Sequence, residues 1–135
     1  MELDRALAVV DSQHRAVLTT LRRDGTPQMS PVLVGRSGDT LVVSSREPAM
    51  KTRNVRRDPR AWLCVLPDEF FGRWVQIEGT VSVLSLPEAM EPLVEYYRGI
   101  SGEHPDWDEY RADMERERRV LLVLTPTRAG PDAAG

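Results

Sequence analysis

The sequence predicts a mainly β domain of the α+β kind: a small antiparallel barrel of about six strands with peripheral helices. Short apolar or alternating runs recur along the chain, each closed by glycine, proline or a polar turn. Helical segments are inserted among these runs rather than alternating with them one for one, which argues against a doubly wound parallel sheet. A chain of 135 residues, 41% of them apolar, suffices for one core. Residues 1–125 are therefore read as a single domain and 126–135 as a disordered tail.

Taken in order, Leu3, Ala6, Leu7 and Val10 mark a first amphipathic helix that ends near Ser12-Gln13-His14. Ala16 to Leu21 reads as a strand, Arg23-Asp24-Gly25 as a tight turn in which glycine supplies positive φ, and Gln28 to Val34 as the returning strand. Arg36-Ser37-Gly38-Asp39 is a turn, and Thr40 to Ser45 a third strand. A basic helix follows, ended near Asp58 by Pro59. Ala61 to Leu66 is a fourth strand, with Cys64 read as a buried strand residue. Arg73 to Leu84 is the longest extended run, with a bulge expected at Gly79. Ser85 with Glu88, and Asp106 with Glu109, have capping-box spacing before two further helices, the second running to about Arg118. Val120 to Leu124 closes the set.

A formal charge of −3 argues against a general nucleic-acid binder, which needs a wide basic surface. One cysteine and two histidines give neither an internal disulfide nor a metal set. No stretch approaches the roughly 18 apolar residues of a membrane span, and the acidic N-terminus does not read as a signal peptide, so a cytoplasmic location is expected.

The most informative stretch runs against the acidic balance. Lys51, Arg53, Arg56, Arg57 and Arg60 place five cations in ten residues, directly after an apolar run ending in Ser44-Ser45. Strand, polar turn and helix N-terminus in that order offer free backbone N–H groups to a phosphate, with Lys51 and the hydroxyls completing the site. Arg53, Arg56, Arg57 and Arg60 fall at i, i+3, i+4 and i+7, a stripe able to meet a polyanionic tail. The same spacing also describes a solvated charged helix face.

These segments, in order, resemble a known family. The pieces are Asp24-Gly25-Thr26-Pro27-Gln28, Glu47 to Asn54, Arg57-Asp58-Pro59-Arg60, Glu78-Gly79-Thr80, Tyr97 to Trp107 and Arg118 to Leu122. The family is the split β-barrel proteins related to pyridoxamine-phosphate oxidase, and within it the branch that uses the deazaflavin coenzyme F420. The resemblance implies a homodimer with two equivalent cofactor sites, each lined by both subunits. It implies Ser44, Lys51 and Thr52 as phosphate ligands, and Gln28 with Ser30 along the ring of the cofactor. Arg53 and Arg57 are added from the arginine stripe, whose charge favours F420, with its anionic tail, over flavin mononucleotide (FMN). Ala49 stands where some relatives carry a second basic residue, with Arg46 or Arg53 as substitutes.

On that resemblance the expected activity is hydride delivery to a small conjugated acceptor, biliverdin-like or quinone-like. The alternatives are an FMN-dependent enzyme of the oxidase type and a non-catalytic F420 carrier. The cofactor carries the hard chemistry in such enzymes, so no acid or nucleophile need be present in the protein. No catalytic residue is assigned. His14 and His104 read as residues at helix ends, and Phe70-Phe71 as a loop pair bordering an acceptor or a partner subunit.

Overall fold

The computed structural model describes residues 1–132. In chain order it contains α1 (Leu3–Val10), β1 (Arg15–Leu21), β2 (Pro27–Leu33), β3 (Gly35–Ser37), β4 (Thr40–Arg46), α2 (Met50–Arg57), β5 (Arg60–Leu66), β6 (Val75–Leu84), α3 (Met90–Ser101), α4 (Trp107–Arg116) and β7 (Arg119–Gly130). The strands form one antiparallel sheet in the order β2-β1-β5-β6-β7-β4-β3, curled into a half-barrel. The mainly β class and the peripheral helices are as the sequence predicts. No helix among the described residues is long and apolar enough to cross a membrane.

Alternation along the strands sorts side chains into two faces. The inward set, with Leu18, Leu41, Leu63, Ile77 and Leu122 almost wholly buried, forms the main core together with Leu7 and Val10 of α1 and Val55 of α2. A second core lies on the other face of β4 and β7, where Val42 and Leu121 meet Leu93 and Val94 of α3 and Tyr110 and Met114 of α4. Tyr110 donates to Leu93 O at 2.8 Å. Tyr97, His104, Trp107 and Tyr110 pack ring against ring at the α3–α4 junction, with centroids 5.0 Å apart for the Tyr97–His104 pair and 5.7 Å for Tyr97–Trp107.

Several local expectations hold and have visible causes. Gly25 takes φ +85 in the β1–β2 turn, which Arg22 N–H closes onto Thr26 O at 2.8 Å. The β6–β7 register shifts between Glu78 and Gly79, and a Cβ on Gly79 would lie 2.3 Å from Thr125 O. The backbones touch where the strand bends, so only glycine fits. Asp106 caps α4, accepting from Glu109 N–H at 3.1 Å. His104 Nδ1 accepts Asp106 N–H at 2.9 Å, placing this histidine at the start of α4.

Other expectations are corrected. A seventh strand, β3, occupies part of the predicted turn after β2, pairing with Thr40 to Val42. Ser85 does not cap α3; its hydroxyl donates to Glu47 at 3.0 Å, and α3 begins later, at Met90. Helix α4 ends at Arg116, short of Arg118. β7 runs through Pro126 to Gly130, residues expected in the tail, because they pair with β6 back to Gln76. The last three positions of that tail, 133–135, lie outside the described residues. Cys64 lies on β5 but is half-exposed rather than buried.

Candidate functional site

β4 ends at Arg46 and the chain turns through Glu47-Pro48-Ala49 into α2. Two contacts hold this turn. Thr52, fully buried, donates its hydroxyl to Arg46 O at 2.7 Å and lies 2.8 Å from Ser45 Oγ. Glu47 N–H donates to Arg118 O at 2.9 Å, tying the turn to the start of β7, where Arg118 sits at φ +53.

The N-terminus of α2 thereby opens onto a group of cations. Its N-cap is Ala49, which offers no side-chain cap, and its first turn contains no acid. Lys51 stands in that turn, and Arg46 and Arg119 face each other in the β4–β7 register. Burial, then Arg119, then Arg46 push the Lys51 ammonium below its ordinary pKa. Glu117 pairs with Arg119 at 2.8 Å, whereas Arg46 and Lys51 have no carboxylate partner among the described residues. Cations at the positive end of a helix dipole, and like charges directly opposite across a ladder, are both unfavourable arrangements. A bound anion reverses the sign of each of these terms. Ser44 shares the parity of Arg46 and is half-buried, opposite in sense to the buried Ser45.

A second group lies under the middle and far end of α2. Thr20 donates to Gln28 Oε1 at 3.3 Å, and Asn54, fully buried, donates to Thr20 Oγ1 at 3.0 Å. Arg57 then donates to Asn54 Oδ1 at 2.9 Å and to Leu21 O. Ser30, two residues on from Gln28 along β2, has a buried Oγ with no hydrogen-bond partner. A buried orphan hydroxyl costs on the order of 1–3 kcal/mol, and a ligand atom at this point would satisfy it.

The sequence-predicted residues thus divide. Lys51 and Ser44 stand with Arg46 and Arg119, and Gln28 stands with Ser30. Thr52 is corrected: its hydroxyl is consumed inside the turn, leaving only its backbone N–H for a ligand. Arg57 is held at the opposite end of α2, about 9 Å along the axis from Lys51. The arginine stripe is largely spent within the fold. Arg56 pairs with Glu47 at 2.6 Å, and Arg60, in β5 rather than the helix, pairs with Asp58 at 2.8 Å. Arg53 alone of the four is exposed with no partner among the described residues. The position of Arg119 escaped sequence reasoning, since only strand register brings it beside Arg46. Phe70 and Phe71 are exposed in the β5–β6 loop, and Phe71 borders a cleft of about 770 Å³ against α1, apart from both groups.

A sequence model described as pyridoxamine 5'-phosphate oxidase matches residues 3–130. The chain belongs to this family. A curated relative, a biliverdin reductase of Mycobacterium tuberculosis (strain CDC 1551 / Oshkosh) that depends on reduced F420, is 30% identical over 123 residues, 90% of this chain and 81% of its own. Among solved structures, an F420 reductase superposes with a TM-score of 0.73 at 21% identity, over 91% of this chain and 94% of its own. A heme binding protein from Mycobacterium smegmatis superposes with a TM-score of 0.72 at 20% identity, over 94% of this chain and 52% of its own. At these identities the two structures bear on the fold, which they share with this chain.

The residues present fit a phosphate-bearing flavin or deazaflavin. An uncapped helix N-terminus ringed by Arg46, Lys51 and Arg119 suits the phosphate, and the orphan Ser30 hydroxyl suits a polar ring edge.

Proposed function

We propose that the chain is an F420-dependent reductase of a small conjugated acceptor, biliverdin-like or quinone-like. The observation that carries this reading is the cationic ring around the open end of α2, a local arrangement that is unfavourable without an anion. The relative that reduces biliverdin with reduced F420 supports the choice of cofactor and the class of acceptor.

In this reading Lys51, Arg46 and Arg119 hold the phosphate with Ser44 Oγ and the first N–H groups of α2, Thr52 contributing through its backbone. Arg53, exposed and without a partner among the described residues, meets the anionic tail beyond the phosphate. Gln28 and Ser30 lie along the ring, with Gln28 fixed by the Thr20–Asn54–Arg57 relay. When bound, the reduced cofactor supplies a hydride, becoming oxidised as the acceptor gains two electrons and takes its balancing proton from solvent. The protein orients the two reactants and excludes water from the contact.

We further propose a homodimer. Across β1, β2 and β5 the outward face carries Val17, Met29, Pro31, Leu33, Cys64 and Leu66, with Met29 65% and Leu33 48% exposed. Tyr96 of α3 reaches one end of it at Leu33 O, and a second copy of the chain would bury the exposed remainder of this apolar strip.

The test is a calorimetric titration with oxidised F420 and, in parallel, FMN, on wild type and Lys51→Ala. Saturable F420 binding, weakened in the variant, is the expected result. Preference for FMN would favour the second reading, an FMN-dependent oxidase-like enzyme, which the family's description supports. Binding of neither would overturn both, and binding without turnover over a broad acceptor panel would leave a carrier.

A further inference from the structure

Arg57 has five N–H donors and no acceptor, and this fixes the direction of every hydrogen bond in the chain of side chains beneath α2. Its guanidinium donates to Asn54 Oδ1 at 2.9 Å. Asn54 must therefore turn its amide nitrogen the other way, where it donates to Thr20 Oγ1 at 3.0 Å. Turned over, Asn54 would set N–H against N–H at Arg57. The Thr20 hydroxyl is fully buried, and its hydrogen has one acceptor among the described residues, Gln28 Oε1 at 3.3 Å. Were Gln28 turned over, Thr20 would accept twice and its own hydrogen would be stranded in the interior, a penalty that selects the orientation observed.

The consequence falls on Gln28. With Oε1 engaged, its free polar atom is the amide nitrogen, which has no partner among the described residues and is not sealed from solvent. Gln28 is opposite Thr20, and Ser30 opposite Leu18, in the β1–β2 register. Both side chains therefore stand on the face where Thr20 and Leu18 are buried. An oriented donor and the orphan Ser30 hydroxyl lie one strand repeat apart on the same face.

We propose that Arg57 is a positioning residue for the cofactor ring: through Asn54 and Thr20 it makes Gln28 present N–H rather than C=O, so the ring edge met there is an acceptor, a ring carbonyl. This assignment deepens the cofactor reading and rests on it for the identity of the ligand. Arg57 itself touches no ligand. FMN and F420 both carry carbonyls on the pyrimidinedione end of the ring, so the relay selects how the ring is turned and not which of the two is bound.

Asn54→Asp reverses the relay at nearly constant shape. Its carboxylate accepts from both Arg57 and Thr20, which releases Thr20 Oγ1 to accept from Gln28, and Gln28 then presents Oε1. F420 and FMN are titrated calorimetrically into wild type, Gln28→Met, Asn54→Asp, the double variant, Arg57→Leu and Arg57→Lys, with urea denaturation to establish that each folds. Gln28→Met removes the donor and is expected to weaken the cofactor severalfold. Asn54→Asp, though remote from the ligand, should weaken it more, at least tenfold, because it sets an acceptor against a carbonyl. In the Gln28→Met background the same substitution should change affinity less than twofold, a pattern that neither a loosened helix nor a bare added charge produces. Arg57→Leu leaves Asn54 free to turn and should weaken binding severalfold, whereas Arg57→Lys, still only a donor, should restore most of it; this pair carries the test should Asn54→Asp fail to fold. Undiminished binding by Asn54→Asp and Arg57→Leu alike, or a loss with Asn54→Asp that persists in full beside Gln28→Met, overturns the proposal and leaves the reductase reading standing. The expected pattern with FMN and no binding of F420 supports the relay and removes the reductase reading, and binding of neither removes both.

Discussion

Lys51→Met separates the cost of the cationic ring from its use. The substitution keeps the apolar stem and removes a charge from a helix N-terminus flanked by Arg46 and Arg119. An unfavourable dipole contact and like-charge neighbours are each worth a few tenths to about 1 kcal/mol. The ligand-free variant should therefore be more stable than wild type by about 0.5–1.5 kcal/mol, a rise of several degrees in Tm for a domain of this size. The same substitution removes a charge-assisted hydrogen bond to the phosphate, worth about 1.5–3 kcal/mol, so F420 affinity should fall roughly tenfold to a hundredfold. The pH dependence carries its own sign. Lys51 is pushed below its ordinary value in the folded protein, so the unfolded chain holds its proton to higher pH, and stability rises as pH climbs between the folded and unfolded values. The advantage of Lys51→Met should therefore shrink across that alkaline window. Urea denaturation at neutral and alkaline pH, beside calorimetry with F420, reads both arms. A variant that is less stable than wild type without ligand, or that binds F420 undiminished, would refute the reasoning.

Other consequences are equally direct. Thr52→Val should cost about 1–3 kcal/mol in urea denaturation by stripping Ser45 Oγ of its partner and leaving Arg46 O with the Ala49 N–H alone, while Thr52→Ser recovers most of it. Gly79→Ala should lower Cm by the equivalent of about 1–3 kcal/mol, since the new Cβ meets Thr125 O and the Leu124 side chain at a point where two backbones touch. Burial pushes the Tyr110 phenol up to about 12, so an absorbance titration should show a last tyrosine step near that pH that disappears in Tyr110→Phe. Met29→Lys, on the exposed apolar strip, should shift sedimentation toward the monomer without changing the circular dichroism of the strands.

The strands and α2 were legible because alternation, the Asp24-Gly25 turn and Pro59 are local signals. What was missed depends on pairing between distant segments. Pro126 reads as the end of a strand, yet β7 continues through it. Gly79 faces Pro126 and Glu78 faces Arg128, so Thr127 is the extra residue of the bulge, and the missing proline N–H falls where the ladder is already broken. Thr52 and Lys51 are neighbours in sequence but about 100° apart around α2, one facing the core and the other the opening. Arg119 lies in a segment that carries the family resemblance but was given no place in the site, because its position beside Arg46 follows from the β4–β7 register alone.

On the reading proposed above, with Lys51 and its neighbouring arginines at one tip and the Arg57 relay to Gln28 at the other, α2 acts as a gauge. Its rise is fixed by hydrogen bonding, so a ligand that follows this reading must have a linker between phosphate and ring that matches the length of the helix. FMN and F420 share that ribityl-phosphate linker and pass the gauge equally. Discrimination between them falls to what protrudes past the phosphate, which puts the choice of cofactor on Arg53 and on the solvent beyond it.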